Sequence, residues 1–195
     1  IGHIGTTSFF PSKNLGCYGD GGALFTNDDN LAEKIRMIAN HGQKVQYNHD
    51  IIGVNSRLDT LQAAILDVKL KYLNDYCKAR QEVAAYYDQY LGDDPRFEIP
   101  VREPNSTHVF HQYTLKLNGV DREAVKKYLA EHNIPSMIYY PLPLHFQKAF
   151  GSENYSEGMF PISEKLCKTV LSLPISTEMD TEQLQYIVST LKNFS

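Results

Sequence analysis

The 195 residues are 42% hydrophobic and 22% charged, with 19 Lys+Arg against 23 Asp+Glu and a formal net charge of −4. Such a composition suits a soluble globular chain of one large domain or two small ones, and mild acidity without a Lys/Arg stripe argues against nucleic acid as a partner. No run approaches the roughly 18 apolar residues of a membrane span, no signal-peptide pattern is present, and Cys17, Cys77 and Cys167 show no metal-binding spacing, so reduced thiols in the cytoplasm are the default.

The opening Ile1-Gly2-His3-Ile4-Gly5 has no initiator methionine and reads like the middle of a strand and turn. Ser8 to Gly22 (SFFPSKNLGCYGDGG) then sets Lys13 among aromatic, proline and small residues, ahead of a glycine-rich segment. An amine attacks a carbonyl only when unprotonated, and an ordinary lysine with a pKa near ~10.4 is almost never so at neutral pH. Partial burial lowers that value, and a bound aldehyde can then trap the amine as a Schiff base. The plain alternative is a solvated lysine in a turn. Gly16, Gly19, Gly21 and Gly22 fit neither dinucleotide nor P-loop spacing, and read as turn residues that permit positive φ and close backbone approach.

Ala23 to Thr26 predicts a short strand, and Asn27 to Asn30 a helix start, followed by Leu31, Ile35 and Ile38 at helical spacing up to about Ala39. Asn40 to Ile52 reads as a loop. From Ser56 to about Leu91 apolar residues recur every three or four positions without Gly or Pro, capped by Asn55 or Ser56, with Asn74-Asp75 offering a point to kink. Such a helix would reach roughly 50 Å and could connect two domains. Gly92-Asp93-Asp94-Pro95 ends it. Beyond lies a small α+β pattern: a strand over Val109 to Leu117, a helix capped by Asp121, a second strand over Ser136 to Tyr140, an irregular segment bracketed by Pro141, Pro143 and Gly151, a helix over Ser163 to Leu171, and a last helix opened by a capping box, Asp180 to Gln183. His41, His49 and His111 read as loop or core histidines.

SFFPSKNLGCYGDGGA and, downstream, Gly53 to Ala64 (GVNSRLDTLQAA) resemble two hallmarks of the DegT/DnrJ/EryC1/StrS family of pyridoxal-phosphate-dependent nucleotide-sugar aminotransferases, and the similarity extends through Pro143. The resemblance implies an α/β chain that is the C-terminal half of a fold-type I transferase. Residues 1–54 would be a remnant of the large domain, 55–92 the long connecting helix and 93–195 the small α+β domain. It implies pyridoxal 5′-phosphate as cofactor, Lys13 as the residue that binds it covalently and moves protons, and Ser8 as a donor to its phosphate. Asn55 would reach the partner subunit's cofactor phosphate across a homodimer with shared active sites. Arg57 would meet the substrate, where a guanidinium suits a carboxylate or pyrophosphate. Tyr139, Tyr140 and His145, in YYPLPLH, would border the sugar pocket. Read without the resemblance, Ser8 serves as a turn cap, Asn55 as a helix N-cap, Arg57 as a surface ion pair, and the tyrosines as core.

The implied reaction moves an amino group from glutamate to a keto-sugar linked to UDP or dTDP, for surface polysaccharide or glycan synthesis in the cytoplasm, with no metal, nucleic acid or membrane involved. An isolated half is expected to be inactive. Two alternatives stay open: a non-catalytic regulatory or sensor member of the family, and a sugar dehydratase, although the family's dehydratases carry histidine where this chain keeps Lys13.

Overall fold

Strands β1 (Gly5–Ser8) and β2 (Gly22–Phe25) pair antiparallel with Ser8 opposite Gly22, so the lysine-bearing run is the loop of a hairpin. The computed structural model describes residues 2–150 and 155–194; Ile1 and Gly151, both named above, lie outside them. The contact pattern divides the chain into two units, Ile1–Asn74 and Asp75–Ser195.

In the first unit, helix α1 (Asp29–Ala39) starts where the acidic run predicts: the Asp28 carboxylate accepts from Asn30 N and Leu31 N. The segment read as a loop contains a small hairpin, β3 (Gln43–Val45) with β4 (Asn48–His49), turned through Tyr47 at φ 70°. Asn55 and Ser56 do not cap the next helix. Val54 N donates to Ile38 O, Ser56 N to Ala39 O and His41 N to Val54 O, which keeps this stretch extended along the end of α1. Helix α2 (Thr60–Leu70) therefore begins only after Asp59.

The expected continuous helix is two helices. After α2 the chain tightens at Lys71 and Tyr72, where Tyr72 N donates to Lys69 O at 3.0 Å, and resumes as α3 (Leu73–Leu91). Lys71 keeps right-handed helical angles, so the three- and four-residue spacing runs through the break undisturbed. The hydrophobic stripe therefore cannot reveal it.

The second unit is built on an antiparallel sheet ordered β5 (Phe97–Glu98), β6 (Tyr113–Leu117), β7 (Val170–Leu173). Central β6 alternates as a half-covered strand should, burying Tyr113, Leu115 and Leu117. Val83, Ala84, Tyr87 and Leu91 of α3 share one core with Val125 and Leu129 of α4 (Arg122–Glu131) and with Leu184, Ile187, Val188 and Leu191 of α6 (Thr181–Lys192). The Asp121 cap and the Asp180–Gln183 capping box both form. Helix α5 (Pro161–Thr169) stops two residues short of the predicted end, and Val170–Leu173 pairs with β6 instead. The predicted strand at Ser136 to Tyr140 shrinks to a single bridge, Met137 with Ser172, flanked by Pro135 and Pro141, which can supply no N–H to a ladder.

Candidate active site

The loop carrying Lys13 is held first by its own backbone. Phe9 N donates to Gly21 O at 2.7 Å, Lys13 N to Phe10 O at 2.8 Å and Cys17 N to Phe9 O at 2.8 Å. The buried Cys17 thiol lies within reach of Phe9 O and Gly19 O. Glycine is required here by crowding. A Cβ at Gly16 would stand 2.5 Å from Pro11 O, and one at Gly21 would stand 2.9 Å from Cys17 Sγ and 3.0 Å from Leu58 Cδ1. Neither glycine has positive φ, so close approach alone explains them. Lys13 is half-buried on this braced loop.

Side chains of α2 reach the far part of the same loop. Tyr18 N donates to Gln62 Oε1 at 2.8 Å, and Lys69 Nζ donates to Gly16 O while standing 5.9 Å from the Tyr18 ring centroid. Gln62 sits in one of the quoted motifs, yet no sequence signal ties it to a loop 44 residues away.

Ser8 ends β1 beside the loop. Its Oγ accepts from Phe10 N at 3.3 Å, which leaves the hydroxyl hydrogen for another acceptor. Asn55 and Arg57 come together: Arg57 Nε donates to Asn55 Oδ1 at 2.9 Å. That bond occupies the oxygen of the amide and turns Asn55's N–H donors elsewhere. Arg57 also lines an open hollow of about 540 Å³ with Glu33, Arg36, Asn40 and Lys44. These four candidate residues all belong to the first unit.

The other three belong to the second. Tyr139 is half-buried; Tyr140 is 71% exposed and stands away from any core. Their rings meet edge-on with centroids 5.6 Å apart. Tyr140 and His145 wall an apolar pocket of about 750 Å³ with Leu144, Phe150, Tyr155 and Phe160. His145 Nε2 is 3.2 Å from the buried carboxylate of Glu164, which also accepts from Gly158 N at 3.0 Å and Phe160 N at 3.2 Å. Glu164 was not among the residues picked out from sequence. An acid in the first turn of a helix reads as a surface charge facing the dipole, and nothing local betrays a histidine nineteen positions earlier.

Burial opposes the charge on Glu164, but the Gly158 and Phe160 amides and then His145 hold its carboxyl below the ordinary 4.5. A depressed carboxyl contributes stability that is complete above the unfolded value and lost as pH falls through the folded one. Glu164→Gln is therefore expected to lower the thermal midpoint at neutral pH, with the gap to wild type closing as pH drops below 4.5. Thermal unfolding across a pH series checks this, and a gap that widens in acid contradicts it.

Among the described residues no group of three or more His, Cys, Asp and Glu side chains could hold a metal ion, and no helix is long and apolar enough to cross a membrane.

The sequence profile of the DegT/DnrJ/EryC1/StrS aminotransferase family matches residues 1–192. A pleiotropic regulatory protein of Geobacillus stearothermophilus is 46% identical, with 100% of this chain aligned to 53% of that one. The UDP-2-acetamido-2-deoxy-3-oxo-D-glucuronate aminotransferase of Pseudomonas aeruginosa is 45% identical over 97% of this chain and 51% of its own. The solved structure of S. venezuelae DesV in complex with a ketimine intermediate superposes with a TM-score of 0.90 at 36% identity, covering 97% of this chain and 50% of that one. The chain thus spans about half the length of the curated relatives it matches.

Proposed function

The chain belongs to the DegT/DnrJ/EryC1/StrS aminotransferase family, and from that premise we propose that it is the C-terminal half of a pyridoxal-phosphate-dependent nucleotide-sugar aminotransferase. The observation that carries the reading is Lys13, a half-buried residue on a hairpin loop whose backbone is fixed on both sides of it. A carbonyl-binding amine needs a fixed anchor for its flexible stem, and the bonded loop backbone supplies that anchor.

The donors present suit pyridoxal phosphate. Lys13 offers the amine for its aldehyde, and Ser8 offers a hydroxyl hydrogen that no bond within the loop consumes. Asn55 offers amide N–H groups to a phosphate, in our reading that of a partner subunit in a homodimer. Once bound, the cofactor supplies the electron sink for charge developing at the donor's α-carbon. Lys13 Nζ, when freed, takes the proton from that carbon. Arg57, already oriented by Asn55, faces a carboxylate or pyrophosphate of the substrate. Tyr139, Tyr140 and His145 border the sugar.

The amino donor in this reading is glutamate, and the acceptor is a keto-sugar on UDP or dTDP. The product serves polysaccharide or glycan synthesis, and the reaction runs in the cytoplasm, which suits three free cysteines. The relative that acts on a 3-oxo-glucuronate supports a uronate acceptor, with Arg57 on its carboxylate. Arg57→Lys is then expected to cut kcat/KM for a keto-uronate about tenfold or more and for a neutral keto-sugar by under about threefold, since a bidentate pair becomes a point contact. Equal losses in steady-state assays would remove uronate selectivity from Arg57.

The decisive experiment supplies isotopically labelled glutamate and a UDP-linked keto-sugar to the full-length protein and follows the labelled nitrogen by mass spectrometry. Label in the sugar supports the reading; label retained in glutamate, with cofactor bound, sinks it. The regulatory name of the Geobacillus relative favours the second reading, a sensor that binds the same ligands without turnover, and unconverted substrate would point there. The 195 residues alone are proposed to be inactive, because the first unit leaves Phe25, Tyr47, Ile52 and Leu61 exposed and unsupported.

A further inference from the structure

Helix α2 presents Gln62, Leu66 and Lys69 on one face, at i, i+4 and i+7. Leu66 is the buried residue of that helix, and the two polar side chains flanking it both bond to the Lys13 loop. The stem of the loop is closed by its own amides, but those bonds centre on Phe9, Phe10 and Gly21. The half that follows Lys13, from Gly16 to Gly19, is tied within the loop through Cys17 and is also gripped from outside, at the Gly16 carbonyl by Lys69 and at the Tyr18 amide by Gln62. Two turns of helix separate the grips, about 10 Å along the axis, so one rigid element fixes two points of a short peptide. The fit is close: a Cβ on Gly19 would lie 3.1 Å from Gln62 Nε2.

We infer that Gln62 and Lys69 are positioning residues, which act through the loop backbone to set where the Lys13 amine stands. The inference rests on the role given to Lys13 under Proposed function. Gln62 works as an acceptor: it takes the Tyr18 N–H, a donor that would otherwise need water or a shifted loop. Lys69 closes the other side by donating to a carbonyl and by standing against the Tyr18 ring.

The test uses full-length holoenzyme, with amide hydrogen exchange read at Tyr18 and amino-group transfer measured in parallel. Gln62→Met keeps the length of the side chain and removes the acceptor. Exchange at Tyr18 is expected to quicken about tenfold and kcat to fall about tenfold, with KM for the nucleotide sugar within about twofold. Gln62→Glu keeps an acceptor oxygen and is expected to recover most of both. Lys69→Met should shift both readouts the same way, and takes the place of Gln62→Met if that variant does not fold. Unchanged Tyr18 exchange in the Met variants overturns the inference, and so does a Gln62→Glu enzyme as slow as Gln62→Met. Faster exchange in a protein that transfers no amino group supports the clamp and overturns the aminotransferase reading instead.

Discussion

On the proposed aminotransferase reading, Lys13→Ala in the full-length protein is expected to lose amino-group transfer by roughly a thousandfold or more, the scale of removing both a covalent attachment and a general acid–base. Lys13→Arg should fail as badly. It preserves charge and much of the length, but a guanidinium stays protonated and can neither attack a carbonyl nor accept a proton at neutral pH. The loop should survive either change, because its bonds run through backbone atoms of Phe9, Phe10, Lys13 and Cys17. Circular dichroism and Tyr18 exchange should therefore match wild type. Borohydride reduction followed by peptide mapping supplies the second check, with a pyridoxyl-bearing peptide containing Lys13 in wild type and none in either variant. A variant that keeps even a tenth of its turnover would remove Lys13 from the chemistry.

The largest structural effect is expected from Tyr87→Ala. Tyr87 is fully buried on α3, its ring centroid 4.9 Å from that of Tyr113, and its hydroxyl donates to Pro174 O at 2.8 Å. Burial pushes its phenol well above the ordinary value, so it stays a neutral donor through any working pH. Truncation removes the ring from the middle of the second unit's core and leaves the carbonyl without its donor, at a cost of about 3–5 kcal/mol. For a unit of this size the thermal midpoint should fall by roughly 10 °C or more. Tyr87→Phe isolates the hydroxyl and should cost about 1 kcal/mol. The chain has 13 Tyr and no Trp, so tyrosine fluorescence in urea reports the transition directly. A loss under about 1 kcal/mol for Tyr87→Ala would mean that the core is far looser than its burial suggests.

What the residues disclosed in advance was local or repeated. Asp28, Asp121 and Asp180 mark helix starts because a carboxylate has one job beside a free amide, and that job is readable within three positions. Lys13 stands out because the residues around it restrict the backbone. The break at Lys71 was hidden because its helical angles leave the apolar spacing intact. The first two residues of β7, Val170 and Leu171, were absorbed into a helix because a short apolar-rich run has no period to tell the two apart. Gln62 and Glu164 were silent for a different reason: each acts on a group far away in sequence, through one side-chain oxygen. Periodicity carries no trace of such a contact, and the Arg57–Asn55 bond, although only two residues span it, was equally silent, because each residue was read toward a different partner.

A lysine side chain is a four-carbon tether, and here its post is cemented from both ends of the loop. On the proposed reading, any travel of the amine between one partner and the next is then rotation about its own single bonds, with no main-chain rearrangement in the way. The nitrogen can then, on that same reading, leave and return to one address without a loop having to refold at each cycle.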